Sequence, residues 1–418
     1  MLRNEAIQGR PGSMAVLDLG SDKVTVFIAE LNETGGVDIL GVGHQLAKGI
    51  RSGAIQDAGQ TQSSIIAAVH TAEQMAEESI ESVVVSVNGA HLRSHNVTVE
   101  LEVTREGVTD ADILDLIREG CDTIIEEGHE ILQALPVQYY LDKAKGLSDP
   151  RGMVGEVLGA EIHIVTAESL ALQNLTSCIA RCHLNVAGFI PAPYASAMAC
   201  LTEDERELGV TLIDVGAGTT GVAVFANRRP VYIGCIPVGG RHVTHDLARG
   251  LSISVSQAER VKILHANAVG SIKDAEVPVD VVQYGEEEDT EETTQVPRSM
   301  ITGIVRPRME EIFEMVRQKL DEAGIRPAES QQIVLTGGSS QMLGVYDLAT
   351  KMLGKQVRKA KPVAMEGLAD SVSGPAFATA VGMLQALRQP PWEEVLLERA
   401  NNRRGVLKRV ISWFKTNI

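Results

Sequence analysis

Two rhythms of apolar and polar positions alternate along the chain. "MAVLDLGSDKVTVFIAEL" (14–31) is an apolar run, a break of small and polar residues, and a second apolar run. That order predicts strand, tight turn, strand. "GGVDILGVG" (35–43) predicts a third strand. Residues 57–78 change to helical spacing, with Ile65, Ile66, Val69 and Met75 expected on one side. "SVVVSVNG" (82–89) reads as a strand. Asp110 is placed to cap a helix carrying Ile113, Leu114, Leu116 and Ile117. "EIHIVTA" (161–167) is a further strand, and a helix is expected over 168–181, before "NVAGFIPAP".

The second half echoes the first. "LGVTLIDVGAGTTGVAVFANRRPVYIGCIPVGG" (208–240) is again strand, glycine turn, strand, turn, strand. "GGRHVTHDLARGL" then starts a helix directly after two glycines, and "SQAERVKILHANA" (256–268) is another helix. The echo is one of motif type and points to a duplicated domain with a cleft between the copies. "EEEDTEETT" (286–294) is expected to be a solvated acidic loop. The paired prolines of "RQPPWEE" (388–394) are expected to end the folded body, and "RANNRRG" (399–405) reads as a linker.

Composition narrows the class. A chain of 418 residues has room for two or more domains, and 44% apolar with 22% charged residues fits a soluble globular protein. The net charge of −17 argues against a general nucleic-acid binder. Five cysteines (Cys121, Cys178, Cys182, Cys200, Cys235) contain no CxxC pair and read as reduced, mostly buried thiols of a cytosolic protein. The N-terminal residues lack the apolar core of a signal peptide, and no apolar run is long enough to span a membrane as a helix.

Four small-residue turns follow apolar strands: "DLGSDK" (18–23), "DVGAGTT" (214–220), "PVGG" (237–240) and "LTGGSSQM" (335–342). Small residues let a backbone come close to a ligand and leave N–H groups free to donate to it. Asp18 and Asp214 suit a hydrated Mg²⁺ beside phosphates, with Gly20, Ser21 and Lys23 in one turn and Gly216, Gly218, Thr219 and Thr220 in the other. Gly239 and Gly240, and then Gly337, Gly338 and Ser339, would admit a nucleoside backbone-to-ligand. Each turn taken alone is equally suited to plain turn geometry, with Asp or Ser as a cap. Glu259 and Lys262 share a helix face and, read locally, form an ordinary surface pair.

The last segment differs in kind. On a helix, Val406, Leu407, Val410, Ile411, Trp413, Phe414 and Ile418 gather on one side of "RRGVLKRVISWFKTNI" (403–418). Lys408, Arg409 and Lys415 gather on the other, and no acidic residue is present. Such a helix can dock on its own core. The preceding linker, the wholly basic charge and the aromatic pair favour an interfacial helix on anionic lipid.

Two acid-glycine phosphate turns, a connecting helix, a Gly-Gly turn and a second connecting helix ("GPAFATAVGML", 374–384) occur in the order of the actin-like ATPase superfamily. Within it the chain resembles the FtsA family of bacterial cell-division proteins. The closer likeness is carried by "GIRSGAI" (49–55), "VVVSVNGAHLRSHN" (83–96), "DPRGMVGEVLGAEIHIVTA" (149–167), "LTEDERELGV" (201–210) and "PVGGRHVTHDLA" (237–248).

The resemblance implies an α/β, actin-like two-lobed fold: duplicated RNase-H-like domains, an inserted subdomain in each lobe and a C-terminal amphipathic helix. Its expected boundaries are 1–83 for the core of lobe 1 (continued at 167–195 and about 353–390) and 84–166 for its inserted subdomain. Lobe 2 takes 196–226 (continued at about 309–352), with 227–308 as its outer subdomain. A linker is expected over 391–404 and a membrane-targeting helix over 405–418. The resemblance also implies ATP and Mg²⁺ as ligands, with Glu259 and Lys262 at the nucleoside. It implies self-assembly, contacts with other division proteins and binding of the C-terminal tail of the tubulin-like protein FtsZ. Arg308 and Glu311 match the family's "PRxxE" partner positions, with Arg298 a weaker candidate. The implied place is the cytoplasmic side of the inner membrane at the septum.

Three departures from relatives stand out: Ala217 where many have Gly, Gly221 where Asp is frequent, and Ala192 just before Pro193. Faster actin-like ATPases carry a Glu or Gln near the first connecting helix to position the attacking water. Ala192 can neither orient nor deprotonate water, so binding is better supported than turnover and the catalytic residue is unknown. Two other classes share the phosphate motifs. An actin-fold phosphotransferase would need a general base and a substrate pocket that the sequence does not name. A PilM-type pilus-assembly protein shares the inserted subdomain but lacks the basic aromatic terminal helix.

Overall fold

The structure is a computed structural model. It describes residues 13–32, 35–103, 106–124, 126–271, 274, 276–283, 294–325 and 332–403, with side chains described to Leu397.

Two five-stranded sheets share one topology. In the first, Ser13–Leu19, Lys23–Leu31 and Val37–Leu46 form an antiparallel meander. Ser82–Val87 then pairs parallel with Ser13–Leu19, and Asn185–Pro191 parallel with Ser82–Val87. In the second, Val210–Val215, Thr220–Ala226 and Arg229–Ile236 form the meander. Gln332–Thr336 and Gln356–Lys359 are added in parallel on the other side of its first strand. Counted within each sheet, both orders are 3-2-1-4-5. The central strands are nearly continuous apolar runs because both faces are covered.

The helix Ala58–Ala76 lies on the first sheet, capped by Asp57, which accepts from the Gln60 amide. Its buried face differs from the expected one. Ile65 and Val69 are buried, but Ile66 and Met75 are 46% and 54% exposed. The reason is close backbone approach. A Cβ on Gly41 would lie 2.2 Å from the Ala72 carbonyl oxygen, and one on Gly43 1.8 Å from that of Ala68. The helix therefore presents its alanines to the strand, and the larger side chains one step round the wheel face outward.

An inserted unit leaves the first sheet after Ser82–Val87. Its antiparallel strands run in the order Leu92–Glu102, Val157–Glu168, His129–Leu141, Ala144–Leu147. The helix Asp110–Asp122 covers them with Ile113, Leu114, Leu116 and Ile117 buried. Its cap is Thr109, not Asp110: Thr109 and Asp112 bond reciprocally in a capping box, and Asp110 already belongs to the first turn.

Backbone pairing shifts several expected boundaries. Ser82–Val87 stays in the first lobe's sheet, so residues 84–87 are not part of the insertion. Arg229–Ile236 and Gln356–Lys359 both belong to the second lobe's sheet. Arg298–Glu322 is one helix that runs through the division expected at 308. Only Thr294 of the acidic run is described; it opens the short strand Thr294–Pro297. The segment 405–418 lies outside the described residues.

The helices Ala192–Cys200 and Ala378–Arg388 cross beneath the two sheets, in a core that includes residues of both lobes. The prolines after Arg388 do end that helix. The chain beyond them is not the free linker expected over 391–404, however, because Trp392–Arg403 is helical and Glu393 and Leu396 are buried. Among the described residues no helix is long and apolar enough to cross a membrane.

Candidate nucleotide site

The two acid-glycine turns are the same structure built twice. Gly20 N–H donates to the Lys23 carbonyl at 3.0 Å, and Gly216 N–H to the Thr219 carbonyl at 2.9 Å. A Cβ on either glycine would press on that same oxygen, at 2.8 Å in the first turn and 3.0 Å in the second. Glycine is therefore set by the turn itself at both places. Each turn carries its carboxylate two residues earlier, at the end of the first strand of its meander.

The turns face one another. A Cβ on Gly218 would lie 2.4 Å from Ser21 Oγ and 3.0 Å from the Ser52 amide nitrogen. Asn88, just beyond the first lobe's fourth strand, donates to Thr219 Oγ1 at 2.8 Å, and Cys235 Sγ donates to Asn88 Oδ1 at 3.0 Å. Arg241 of the second lobe donates to the Ser21 carbonyl. Asp18, Gly20, Ser21, Lys23, Asp214, Gly216, Gly218, Thr219 and Thr220 are thus assembled at one cleft.

Behind them stand the other two glycine turns. Gly240 N–H donates to the Gly216 carbonyl at 2.9 Å, Arg241 N–H to that of Ala217 at 2.7 Å, and Ser339 Oγ to Gly216 at 2.9 Å. A Cβ on Gly239 would meet the Gly216 carbonyl at 2.6 Å, and one on Gly337, whose φ is +88°, would meet Asp214 Oδ1 at 2.2 Å. Gly338 and Ser339 open a short 3-10 turn on the same side. The helix Gly240–Leu251 is crossed by Val255–His265, which brings Glu259 and Lys262 to its first turn. Lys262 Nζ donates to Glu259 at 2.8 Å, to Thr244 Oγ1 at 3.0 Å and to the Gly240 carbonyl at 3.3 Å. The pair is therefore more than a surface contact, because Thr244 also donates to Glu259 at 2.6 Å.

Each carboxylate is held by a hydroxyl the sequence did not single out. Ser86 donates to Asp18 at 2.7 Å and accepts from the Leu19 amide at 3.1 Å. Ser196 donates to Asp214 at 2.6 Å, and Thr379 lies 3.0 Å from Ser196 Oγ. Ser196 and Thr379 come from the two crossed helices. A hydroxyl among small residues in "PAPYASAM" was the only local signal for the first of them. Burial raises the pKa of both acids, and Asp18 is pushed up to about 6, against the Ser86 bond and with repulsion from Asp214 adding to the rise. Lys23 Nζ rests 3.9 Å from the centre of the Phe377 ring, and burial lowers its pKa.

Two costly carboxylates in one cleft are a donor set suited to Mg²⁺, which takes few protein oxygens and keeps waters and phosphate as its other ligands. The glycine turns give close backbone approach on the remaining sides. Ala192 opens its helix and is buried, and its methyl offers the cleft no polar side chain. Gly221 lies against Pro193, where a Cβ would meet the ring at 2.9 Å.

The three partner-site candidates lie elsewhere, on Arg298–Glu322. Arg308 donates to both oxygens of Asp246 at 2.6 and 3.1 Å and also pairs with Glu311. Arg298 donates to the His265 carbonyl at 3.1 Å, which ties the helix start to its neighbour.

A family model described as Cell division protein FtsA matches residues 211–382, and one described as SHS2 domain inserted in FTSA matches residues 89–166. The Cell division protein FtsA of Rhizobium meliloti (strain 1021) is 38% identical over 381 residues, covering 89% of this chain and 86% of that protein. The chain belongs to the FtsA family of cell division proteins. The FtsA of Neisseria meningitidis serogroup B is 34% identical and covers 97% of this chain and 98% of its own length. Among solved structures, the chain is similar to a PilM-PilN type IV pilus biogenesis complex, with a TM-score of 0.63 at 16% identity, covering 90% and 99% of the two chains. It is also similar to MreB 5 of Spiroplasma citri bound to AMPPNP, with a TM-score of 0.53 at 13% identity, covering 94% and 98%. These structures show the actin-like fold expected for FtsA. The likeness to the pilus protein is one of fold.

Proposed function

We propose that this FtsA-family chain binds ATP with Mg²⁺ between its two acid-glycine turns and serves as a nucleotide-dependent assembly switch in cell division. The carrying observation is the pair of turns closed by the same hydrogen bond, each with a half-buried carboxylate, facing each other across the cleft. Ser21, Gly218 and Thr219 would present amides and hydroxyls to the phosphates, while Gly20 and Gly216, whose own N–H groups close the turns, and Thr220, whose hydroxyl is held by the Val238 carbonyl, would shape the walls around them. Asp18 and Asp214 would hold the hydrated cation, which neutralises phosphate charge. Lys23 would leave Phe377 for a phosphate oxygen. Gly239, Gly240, Glu259, Lys262, Gly337, Gly338 and Ser339 would line the nucleoside. Binding without rapid turnover fits Ala192, which cannot orient water.

Family membership supports a wider role. The helix face with Arg308 and Glu311 would receive the C-terminal tail of FtsZ, with Arg298 supporting the helix end. The apolar and basic residues of 406–415, which lie outside the described residues, would hold the chain and its filaments on the inner face of the cytoplasmic membrane.

Equilibrium binding of a fluorescent ATP analogue, with and without Mg²⁺, tests the cleft. The parent should bind more tightly with Mg²⁺, and Asp214→Ala should lose most of that gain. Equal binding by both proteins in both conditions would remove Asp214 and this cleft from the site.

A further inference from the structure

The chain leaves the crossed helices at Arg388 and, after three residues, enters the helix Trp392–Arg403. The start of that helix is seated against two other parts of the molecule at once. Glu393 is fully buried, with 0% side-chain exposure, and takes two bonds from Arg229 at 3.0 and 2.7 Å. It also accepts from Tyr139 Oη at 3.3 Å. Arg229 opens the edge strand of the second lobe's sheet, whereas Tyr139 belongs to the unit inserted in the first lobe.

The neighbours complete the seat. Trp392 stacks on Tyr139, with ring centres 6.1 Å apart, and the Arg151 guanidinium lies 4.0 Å over its ring. Gln133 donates to Glu394 at 3.1 Å, and Leu396 joins the apolar core of the inserted unit. The inserted unit also touches the same edge strand directly. Asn96 donates to the Val231 carbonyl at 3.1 Å, and Ile233 N–H donates to Ser94 Oγ at 3.2 Å.

We propose that Trp392–Leu396 is a clasp between the lobes: its seating locks the inserted unit to the edge strand of the second lobe, and rotation of one lobe against the other unseats it. The physical reason is the buried carboxylate. Its cation comes from the second lobe and its aromatic seat from the first. Any rotation that separates the two leaves a charge buried without a partner, a state costly enough to favour release over gradual stretching. That ATP drives the rotation rests on the reading proposed above; the clasp itself does not.

The test uses the full chain in three measurements. Hydrogen exchange of the peptide covering 392–397 should rise at least tenfold in Glu393→Gln. It should return to parent protection in the double variant Arg229→Met, Glu393→Leu, in which an apolar pair replaces the ions. Parent-like exchange in Glu393→Gln would overturn the clasp. Spin labels at the exposed positions 170 and 263, one on each lobe, should show a shifted or broadened distance distribution in Glu393→Gln without nucleotide. An unchanged distribution would overturn the coupling to the lobes. Addition of ATP and Mg²⁺ to the parent, with binding followed by fluorescence, separates the two ideas. Binding with full protection of 392–397 would refute nucleotide-driven release. Absence of binding would refute the nucleotide reading and, with it, ATP as the trigger.

Discussion

Gly382 lies so close to Ala195 that a Cβ built on it would sit 1.7 Å from the Ala195 carbonyl oxygen. The two connecting helices therefore cross backbone on backbone, directly beneath Asp214. Ser196, next to Ala195, donates to that carboxylate, and Thr379, one turn before Gly382, donates to it at 3.5 Å. The crossing point and the candidate metal carboxylate form one packed unit. Gly382→Ala should force the helices apart and destabilise the fold by about 1–3 kcal/mol, the usual range for overpacking. A lowered urea midpoint at constant slope would show it. An unchanged midpoint would mean that the crossing is looser than this packing.

The pH dependence of stability should carry a mark of Asp18. Burial places its folded pKa at about 6, above the ordinary 3.8. Protons therefore bind the folded chain more tightly than the unfolded one. The resulting stabilisation is full below about pH 4 and is lost as pH rises through about 6. At neutral pH the nucleotide-free protein bears the cost of ionising Asp18 in its partly dehydrated setting. His163, buried and pushed down to about 3, acts in the opposite sense as pH falls below 6.5, but it is common to parent and variant. Asp18→Asn should therefore raise Tm more at pH 7.5 than at pH 5, measured in EDTA without nucleotide. A gain independent of pH would show that Asp18 does not titrate in this range.

Arg308 is partly exposed and holds Asp246 and Glu311 around it. A tail peptide with carboxylates would compete for the same guanidinium. Arg308→Glu should weaken binding of the FtsZ tail by about tenfold or more, which is about 1.4 kcal/mol. ATP binding should be unaffected, and so should peptide binding by Arg317→Glu, a control farther along the helix. Fluorescence anisotropy with a labelled peptide reads both. Equal affinity of parent and Arg308→Glu would move the partner site away from this helix.

The terminal segment should bind anionic vesicles through two terms. Full burial of a large apolar side chain is worth roughly 1.5–3 kcal/mol, an upper limit at an interface. Each Lys or Arg near the anionic surface adds about 1 kcal/mol. The apolar term is the larger, so Trp413→Glu should release the chain from liposomes more than Lys408→Gln does. Raised salt should weaken flotation without abolishing it, because screening acts on charge alone. Flotation of Trp413→Glu at the parent level would exclude this segment as the anchor.

Local chemistry made much of this molecule legible from its sequence. Strand, acid-x-glycine turn and strand occur within a few consecutive residues, so both hairpins could be read directly, and their repetition in the two halves pointed to a cleft between them. The helical stretches were likewise visible as a period, because each helix carries its own pattern. What could not be read depends on residues far apart in the chain. Ile66 and Met75 face outward because Gly41 and Gly43 admit an alanine face, a fact of the neighbouring strand. Ser86, Ser196 and Thr379 look like ordinary hydroxyls until the sheets and crossed helices bring them to Asp18 and Asp214. "PPWEE" resembles the end of a fold until Arg229, 164 positions away from Glu393, is placed beside it. Turns and periods are set by short-range sterics and backbone hydrogen bonds. The partner of a buried charge is decided only when the chain has closed around it, since burial itself makes the pairing necessary.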